Sequence, residues 1–158
     1  MNARIALVDD DPAFAEYLQV FLQTRGYTVD VHHNGATLLE HLQTGAAPHI
    51  VLLDVEMPDL DGLETLREIR RLQPTAEVIM LSGRQAPATI VEAVRLGATD
   101  YVLKGGSPGG LGEAALEAAI RNALERQSMT AEIARLGAQL AEDPQGLQPY
   151  WSDSHSMH

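Results

Sequence analysis

Short apolar runs alternate with amphipathic stretches along the first 125 residues. The runs are rich in β-branched and other apolar residues and cover residues 5–8, 27–31, 50–53, 78–81 and 101–103. Each run is followed by apolar positions at helical spacing, such as Phe14, Leu18, Phe21 and Leu22 after the first run. Runs without an in/out alternation are typical of strands in a parallel sheet that is covered on both faces. The pattern predicts an α/β fold, a doubly wound parallel sheet of five strands, (βα)5.

The last predicted helix continues beyond residue 126, where the predicted main domain ends. No Pro or Gly interrupts residues 113–136, and Met129, Ile133, Leu136 and Leu140 follow one another at spacings of 4, 3 and 4. These positions fit a linker or dimer helix, or a helix that folds back on the same domain. We expect a main domain at 1–126, an extended C-terminal helix at 127–142, and a flexible tail at 143–158, which is rich in Pro, Gln and Ser.

Charge and composition exclude several classes of protein. The 158 residues contain 11 Lys+Arg and 22 Asp+Glu, which gives a net charge of -11. The densest basic cluster is Arg67, Arg70 and Arg71, so we predict that the chain binds no nucleic acid. There is no cysteine and no apolar run long enough to cross a membrane. These features predict a cytoplasmic protein that has no disulfides and no membrane contact.

Chemically active side chains follow four of the five predicted strands. Three aspartates, Asp9, Asp10 and Asp11, follow the first strand, Asp54 the third, Ser82 the fourth and Lys104 the fifth. Ligand sites of doubly wound sheets lie at the carboxyl ends of the strands, so these groups converge on one crevice. Carboxylate oxygens suit Mg²⁺, and a carboxylate beside Mg²⁺ and a lysine is placed to accept a phosphoryl group.

The order and spacing of these motifs resemble the response-regulator receiver domain of two-component signalling, over residues 3–126. The matching segments are 7–11 (LVDDD), 52–62 (LLDVEMPDLDG), 81–83 (LSG) and 97–104 (GATDYVLK). The resemblance implies a flavodoxin-like sheet in the order 2-1-3-4-5. It also implies Mg²⁺-dependent transfer of a phosphoryl group to Asp54 from a histidine kinase or a phosphotransfer protein. Phosphorylation would switch the surface of helix 4, strand 5 and helix 5, and thereby control a partner or a downstream domain.

The resemblance also assigns roles to individual residues. Asp10, Asp54 and the backbone carbonyl of Glu56 would bind Mg²⁺ directly, and Asp9 would act through water. Ser82 would hydrogen-bond the phosphoryl group, Lys104 would pair with it, and Tyr101 would turn inward together with Ser82. Glu56 and Arg84 would tune autodephosphorylation. The chain would therefore be a phosphoacceptor with its own autophosphorylation and autodephosphorylation chemistry rather than an enzyme.

The sequence departs from the family pattern after Lys104. Receivers often have a proline there, with a cis bond that aims the ammonium group, whereas this chain has Gly105 and Gly106. A cis bond to a residue other than proline costs about 3 kcal/mol, so we expect the Lys104–Gly105 bond to be trans.

Two other functions compete with the receiver. A haloacid-dehalogenase-type phosphatase would use Asp9 as its nucleophile and Asp11 as its acid, but no acidic cluster follows the fourth strand. A pseudo-receiver would act as a dimerisation domain without phosphorylation. Within the receiver interpretation, the output is either a partner protein, a homodimer through the extended last helix, or a domain further along a longer chain.

Overall fold

Helices and strands alternate along the chain in the computed structural model, which describes residues 3–45, 47–55, 62–83, 87–104 and 111–142. The elements are β1 Arg4–Val8, α1 Pro12–Thr24, β2 Thr28–His32, α2 Gly35–Gln43, β3 Ile50–Asp54, α3 Gly62–Leu72, β4 Glu77–Ser82, α4 Pro87–Arg95, β5 Asp100–Leu103 and α5 Leu111–Glu142. All pairs of neighbouring strands are parallel, in the order β2-β1-β3-β4-β5. The predicted fold class and strand order are confirmed.

The sheet is covered on both faces because successive strand residues point to opposite sides. In β1, Ile5 and Leu7 face α1 and α5, and in β3 Ile50 and Leu52 join the same apolar cluster. The alternate residues of the two strands face a second cluster, which contains apolar side chains from α2, α3 and α4. The strands therefore have apolar side chains on both faces, as expected of a parallel sheet between two helical layers.

Local chemistry fixes where the helices begin beside the carboxyl edge of the sheet. The carboxylate of Asp11 accepts hydrogen bonds from the backbone N–H groups of Ala13 and Phe14, and Pro12 is the first residue of α1. Asp11 is thus an N-cap, a role that satisfies free N–H groups at the start of a helix. The first turn of α1 is held directly beside the end of β1.

Gly62 is required at the start of α3 because the backbone at the end of β3 passes very close to it. A Cβ atom at this position would lie 2.7 Å from the Val55 Cα atom and 2.8 Å from the Asp54 carbonyl oxygen. The Gly62 N–H donates to the Val55 carbonyl oxygen at 3.2 Å. The glycine therefore lets the start of α3 lie close to the backbone at the end of β3.

The chain divides into two units, Met1–Leu124 and Glu125–His158. In the first unit, α5 buries Leu116, Ala119, Ile120 and Ala123 in the cluster that also contains α1. In the second unit, residues 128–141 are all exposed, including the four apolar residues Met129, Ile133, Leu136 and Leu140. The predicted boundaries at residues 126 and 142 stay predictions. The predicted tail at 143–158 lies outside the described residues, and no helix within the described ranges is long and apolar enough to span a bilayer.

Candidate functional site

Four polar side chains meet at the carboxyl edge of the sheet. Asp9 directly follows β1, Asp54 ends β3, Ser82 ends β4 and Lys104 directly follows β5. These four strands are consecutive neighbours in the sheet, so their ends lie side by side. Asp9 is fully buried, and Asp54 and Ser82 are each 2% exposed. Burial of so many polar groups at one sheet edge indicates a site rather than a solvated surface.

Lys104 forms ion pairs with both buried carboxylates. Its Nζ atom lies 3.0 Å from Asp9 Oδ2 and 3.5 Å from Asp54 Oδ2, and its side chain is 20% exposed. The Lys104 backbone N–H donates to the Ser82 carbonyl oxygen at 2.7 Å, which fixes the start of the lysine side chain beside β4. Burial lowers the pKa of Lys104, but hydrogen bonding and attraction from Asp9, and then from Asp54, outweigh it and raise the pKa above its usual value of 10.5. The lysine is therefore a stable cation at this site.

Three carboxylates are close enough to share one cation. One oxygen each from Asp9, Asp10 and Asp54 lies within 4.8 Å of the others, and Asp10 is the exposed member. Among the described residues, this is the only such group of three metal-ligand side chains. Asp9 is also held in place, because its Oδ1 atom accepts from the Asp11 N–H at 2.9 Å. An all-oxygen set that is partly open to solvent fits Mg²⁺, which retains several waters.

The remaining predicted residues fall into two groups. Tyr101 packs against the apolar cluster of α2, α3 and α4, and its hydroxyl is buried with no hydrogen-bond partner in the part of the chain that the structure describes. Its ring thus points inward, and its partner on the neighbouring strand β4 is Met80, two residues before Ser82. Glu56, Arg84 and the Lys104–Gly105 bond lie outside the described residues.

Phe14 is a site residue that the sequence analysis assigned only to an apolar helix face. The Lys104 Nζ atom lies 4.6 Å from the centre of the Phe14 ring. The ring is therefore a third group close to the Lys104 ammonium, in addition to the carboxylates of Asp9 and Asp54. Helical spacing shows that Phe14 lies on the inner face of α1, but it does not show that the first turn of this face meets the end of β5.

Two histidine rings lie close together, and a third histidine contacts the backbone of Asp9. The rings of His32 and His41 have centroids 5.4 Å apart, and a ring nitrogen of His33 lies 3.3 Å from the Asp9 carbonyl oxygen. Within the described ranges, no histidine belongs to a group of three potential metal ligands.

Comparison with known proteins agrees with this geometry. The family described as the response regulator receiver domain matches residues 5–116. The regulatory protein AtoC of Escherichia coli is 36% identical over 154 residues, which cover 98% of this chain and 31% of AtoC. The chain thus spans about a third of the length of that relative.

Solved structures show the same fold. A CheY-like receiver domain protein from Methanospirillum hungatei is 26% identical with a TM-score of 0.74, and the match covers 82% of this chain and 99% of that protein. NtrX from Brucella abortus is 30% identical with a TM-score of 0.75, and the match covers 86% of this chain and 30% of NtrX. The chain belongs to the response regulator receiver domain family of two-component systems, whose receiver domains are signalling modules and are generally not classed as enzymes.

Proposed function

We propose that Asp54 accepts a phosphoryl group from the phosphohistidine of a histidine kinase or of a phosphotransfer protein. The observation that carries this proposal is the position of Asp54. Its carboxylate is 2% exposed, faces Lys104 at 3.5 Å, and shares a cluster with Asp9 and Asp10. A buried carboxylate that shares its surroundings with two further carboxylates and a partly buried ammonium group is typical of a reactive site rather than of a solvated surface.

The transfer step requires little covalent chemistry from the protein. A carboxylate oxygen of Asp54 forms the new bond to phosphorus as the bond to the donor's imidazole nitrogen breaks, and the imidazole leaves with the electron pair. The transferring group spreads negative charge over its oxygens, so fixed positive charge speeds the step. Lys104 would supply that charge, and the Ser82 hydroxyl at the end of β4 would donate a hydrogen bond to a phosphoryl oxygen.

Asp9, Asp10 and Asp54 would hold Mg²⁺, together with the carbonyl of Glu56, which lies outside the described residues. When bound, Mg²⁺ neutralises charge on the phosphoryl oxygens. Asp10 and Asp54 are proposed as direct ligands. Asp9 is proposed to act through water because both of its carboxylate oxygens already have partners, Lys104 Nζ at 3.0 Å and the Asp11 N–H at 2.9 Å. Glu56 and Arg84 remain proposed tuners of autodephosphorylation.

Phosphorylation is proposed to change the face formed by α4, β5 and α5. Ser82 and Tyr101 lie on the adjacent strands β4 and β5, so a movement of Ser82 toward phosphate would open space beside the inward-pointing tyrosine. Val91, Val94 and Leu103 are exposed on this side of the molecule and supply an apolar surface for a partner.

The extended α5 is proposed to join two copies of the chain or to lead to a further domain. Its four exposed apolar residues repeat at the spacing of a short coiled-coil seam, which favours a homodimer. AtoC is named as a regulatory protein and is about three times as long as this chain, so activities of its other parts are not transferred here. The absence of nucleic-acid binding and a cytoplasmic location stay predictions.

The competing phosphatase interpretation finds no support in the position of Asp11. Its carboxylate caps α1 through the N–H groups of Ala13 and Phe14, and it is therefore not aimed at the crevice as an acid would be. Family membership also favours the receiver. The pseudo-receiver differs only in lacking phosphate uptake, which a direct experiment measures.

Intact-protein mass spectrometry after incubation with acetyl phosphate tests the proposal. We expect a gain of one phosphoryl group with Mg²⁺, no gain with EDTA, and no gain in Asp54→Asn. Wild-type protein that gains no mass, even when several purified histidine kinases replace acetyl phosphate as donors, would identify a pseudo-receiver. An equal gain in Asp54→Asn would identify a different acceptor.

A further inference from the structure

We propose that Phe14 is a positioning residue that holds the ammonium group of Lys104 in place for phosphoryl transfer. The inference rests on the proposed function, because it assigns a residue to the same reaction. It comes from the contact between the Lys104 Nζ atom and the centre of the Phe14 ring, which are 4.6 Å apart.

The surroundings of the ammonium group leave it few alternative positions. Asp9 and Asp54 contact it on one side, at 3.0 and 3.5 Å, and the aromatic ring lies at another side. An ammonium group within about 6 Å of a ring centre is attracted by the negative face of the ring, most strongly where water is excluded. At 20% exposure, Lys104 lies in such a partly dehydrated place.

The chain around Lys104 explains why a side-chain contact is needed. The lysine backbone is fixed by its hydrogen bond to the Ser82 carbonyl oxygen, but four side-chain torsions separate the backbone from the charge. The next two residues in the sequence are Gly105 and Gly106, which restrict the backbone least of all residue types. The position of the ammonium group is therefore set by what it touches.

Phe14 is itself firmly held. Its backbone N–H donates to the Asp11 cap at 3.4 Å, so the same residue that starts α1 also fixes the ring's attachment point. Its ring packs against Tyr17, with centroids 6.0 Å apart, and the Tyr17 hydroxyl donates a hydrogen bond to Glu113 of α5. Because both the Phe14 backbone and the Phe14 ring are held by neighbouring groups, the ring can position the flexible side chain of Lys104.

The small numbers of lysine and phenylalanine residues make the contact between Lys104 and Phe14 easy to test. Lys104 is the only lysine in the chain, so selective ¹³C-lysine labelling yields one set of ε-methylene signals. Phe14 and Phe21 are the only phenylalanines, both half-buried on α1, which makes Phe21 a matched control. The Phe21 ring stacks on Tyr17 and lies under Arg25, and in the described contacts it does not meet Lys104.

Site-specific fluorination of Phe14 isolates the electrostatic part of the contact. Mono-, di- and trifluorinated phenylalanine keep the size of the ring while they progressively weaken its negative face. We expect the rate of Asp54 phosphorylation by acetyl phosphate to fall stepwise along the series, and Phe14→Leu to be slower than wild type by about threefold to tenfold. Phe14→Tyr should restore the rate, and Phe21→Leu should leave it unchanged.

Nuclear magnetic resonance supplies a second readout that does not depend on phosphorylation. The Lys104 ε-methylene protons should be shifted upfield by the Phe14 ring, and should show cross-relaxation with its protons, in wild type and Phe14→Tyr. The Phe21→Leu variant should retain both signals. Loss of both in Phe14→Leu, together with the slower rate, is the expected result.

Three outcomes separate this inference from the proposed function. A flat rate across the fluorinated series overturns the positioning role, and these variants remain informative if Phe14→Leu does not fold. Absence of an upfield shift and of cross-relaxation in wild type overturns the contact itself. Failure of wild-type protein to take up phosphate from acetyl phosphate and from purified histidine kinases overturns the proposed function, and this result is recognised because the unsubstituted chain itself is inactive.

Discussion

Replacement of Lys104 by methionine should destabilise the protein because it leaves two buried carboxylates without their cation. Methionine keeps the apolar stem of the side chain and removes the charge. Coulomb's law with an effective dielectric constant of about 20 gives roughly 5 kcal/mol for each pair at the observed separations of 3.0 and 3.5 Å. The cost of dehydrating the ions offsets much of this attraction, so we expect a net loss of about 2–4 kcal/mol in the free energy of unfolding.

Urea denaturation in EDTA measures this loss, and Arg95→Met is the matched control. Arg95 pairs with Glu92 at 3.2 Å on an exposed helix surface, so removing that cation should cost less than about 1 kcal/mol. Millimolar Mg²⁺ should stabilise Lys104→Met more than wild type, because a divalent cation then meets uncompensated carboxylates and no ammonium group. Equal stability of Lys104→Met and wild type in EDTA would refute the view that Lys104 neutralises Asp9 and Asp54.

Three further predictions concern the rest of the chain. Gly62→Ala should lower the free energy of unfolding in urea by at least about 2 kcal/mol, because its Cβ would overlap the backbone at the end of β3. Gly137→Ala, with open space around it, should raise the free energy of unfolding by up to about 1 kcal/mol. Equal effects of the two substitutions would contradict the close approach at Gly62. The pKa of His32 is lowered by burial and by His41, so the folded state resists protonation there. The stability that depends on a neutral His32 is fully present above pH 6.5, the pKa of the unfolded chain, and is lost as the pH falls through the lowered pKa of the folded protein. His32→Gln should therefore flatten the pH dependence of the free energy of unfolding in this range. If α5 joins two chains, sedimentation should show a concentration-dependent dimer for wild type and a monomer for Ile133→Glu, and a wild type that is monomeric at every concentration would exclude this mode of assembly.

The fold could be predicted from the sequence because each element has its own local signal. Each apolar run begins and ends within one residue of the observed strand, and Asp11 caps α1, whose first residue is Pro12. Parallel strands bring their carboxyl ends together, so the convergence of Asp9, Asp54 and Lys104 followed from the order of the elements.

The contacts between elements could not be predicted in the same way. Helical spacing placed Phe14 on the inner face of α1 but could not distinguish a core position from one that meets Lys104. In the sequence, Gly62 is only the last residue of the segment 52–62. The need for glycine there comes from the backbone of residues 54 and 55, which in the folded chain would lie within 3 Å of a Cβ atom at position 62. Side-chain positions at the meeting of two elements depend on packing in three dimensions.

The central claim is that Asp54 carries the phosphoryl group. After reaction with acetyl phosphate and Mg²⁺, borohydride reduces an aspartyl phosphate to homoserine, and tandem mass spectrometry of peptides then locates the altered residue. Homoserine at position 54 alone, absent from protein treated with EDTA, is the predicted result. Homoserine at position 9, or at any other aspartate while residue 54 is unchanged, would contradict it and would indicate that a different carboxylate in this crevice is the nucleophile.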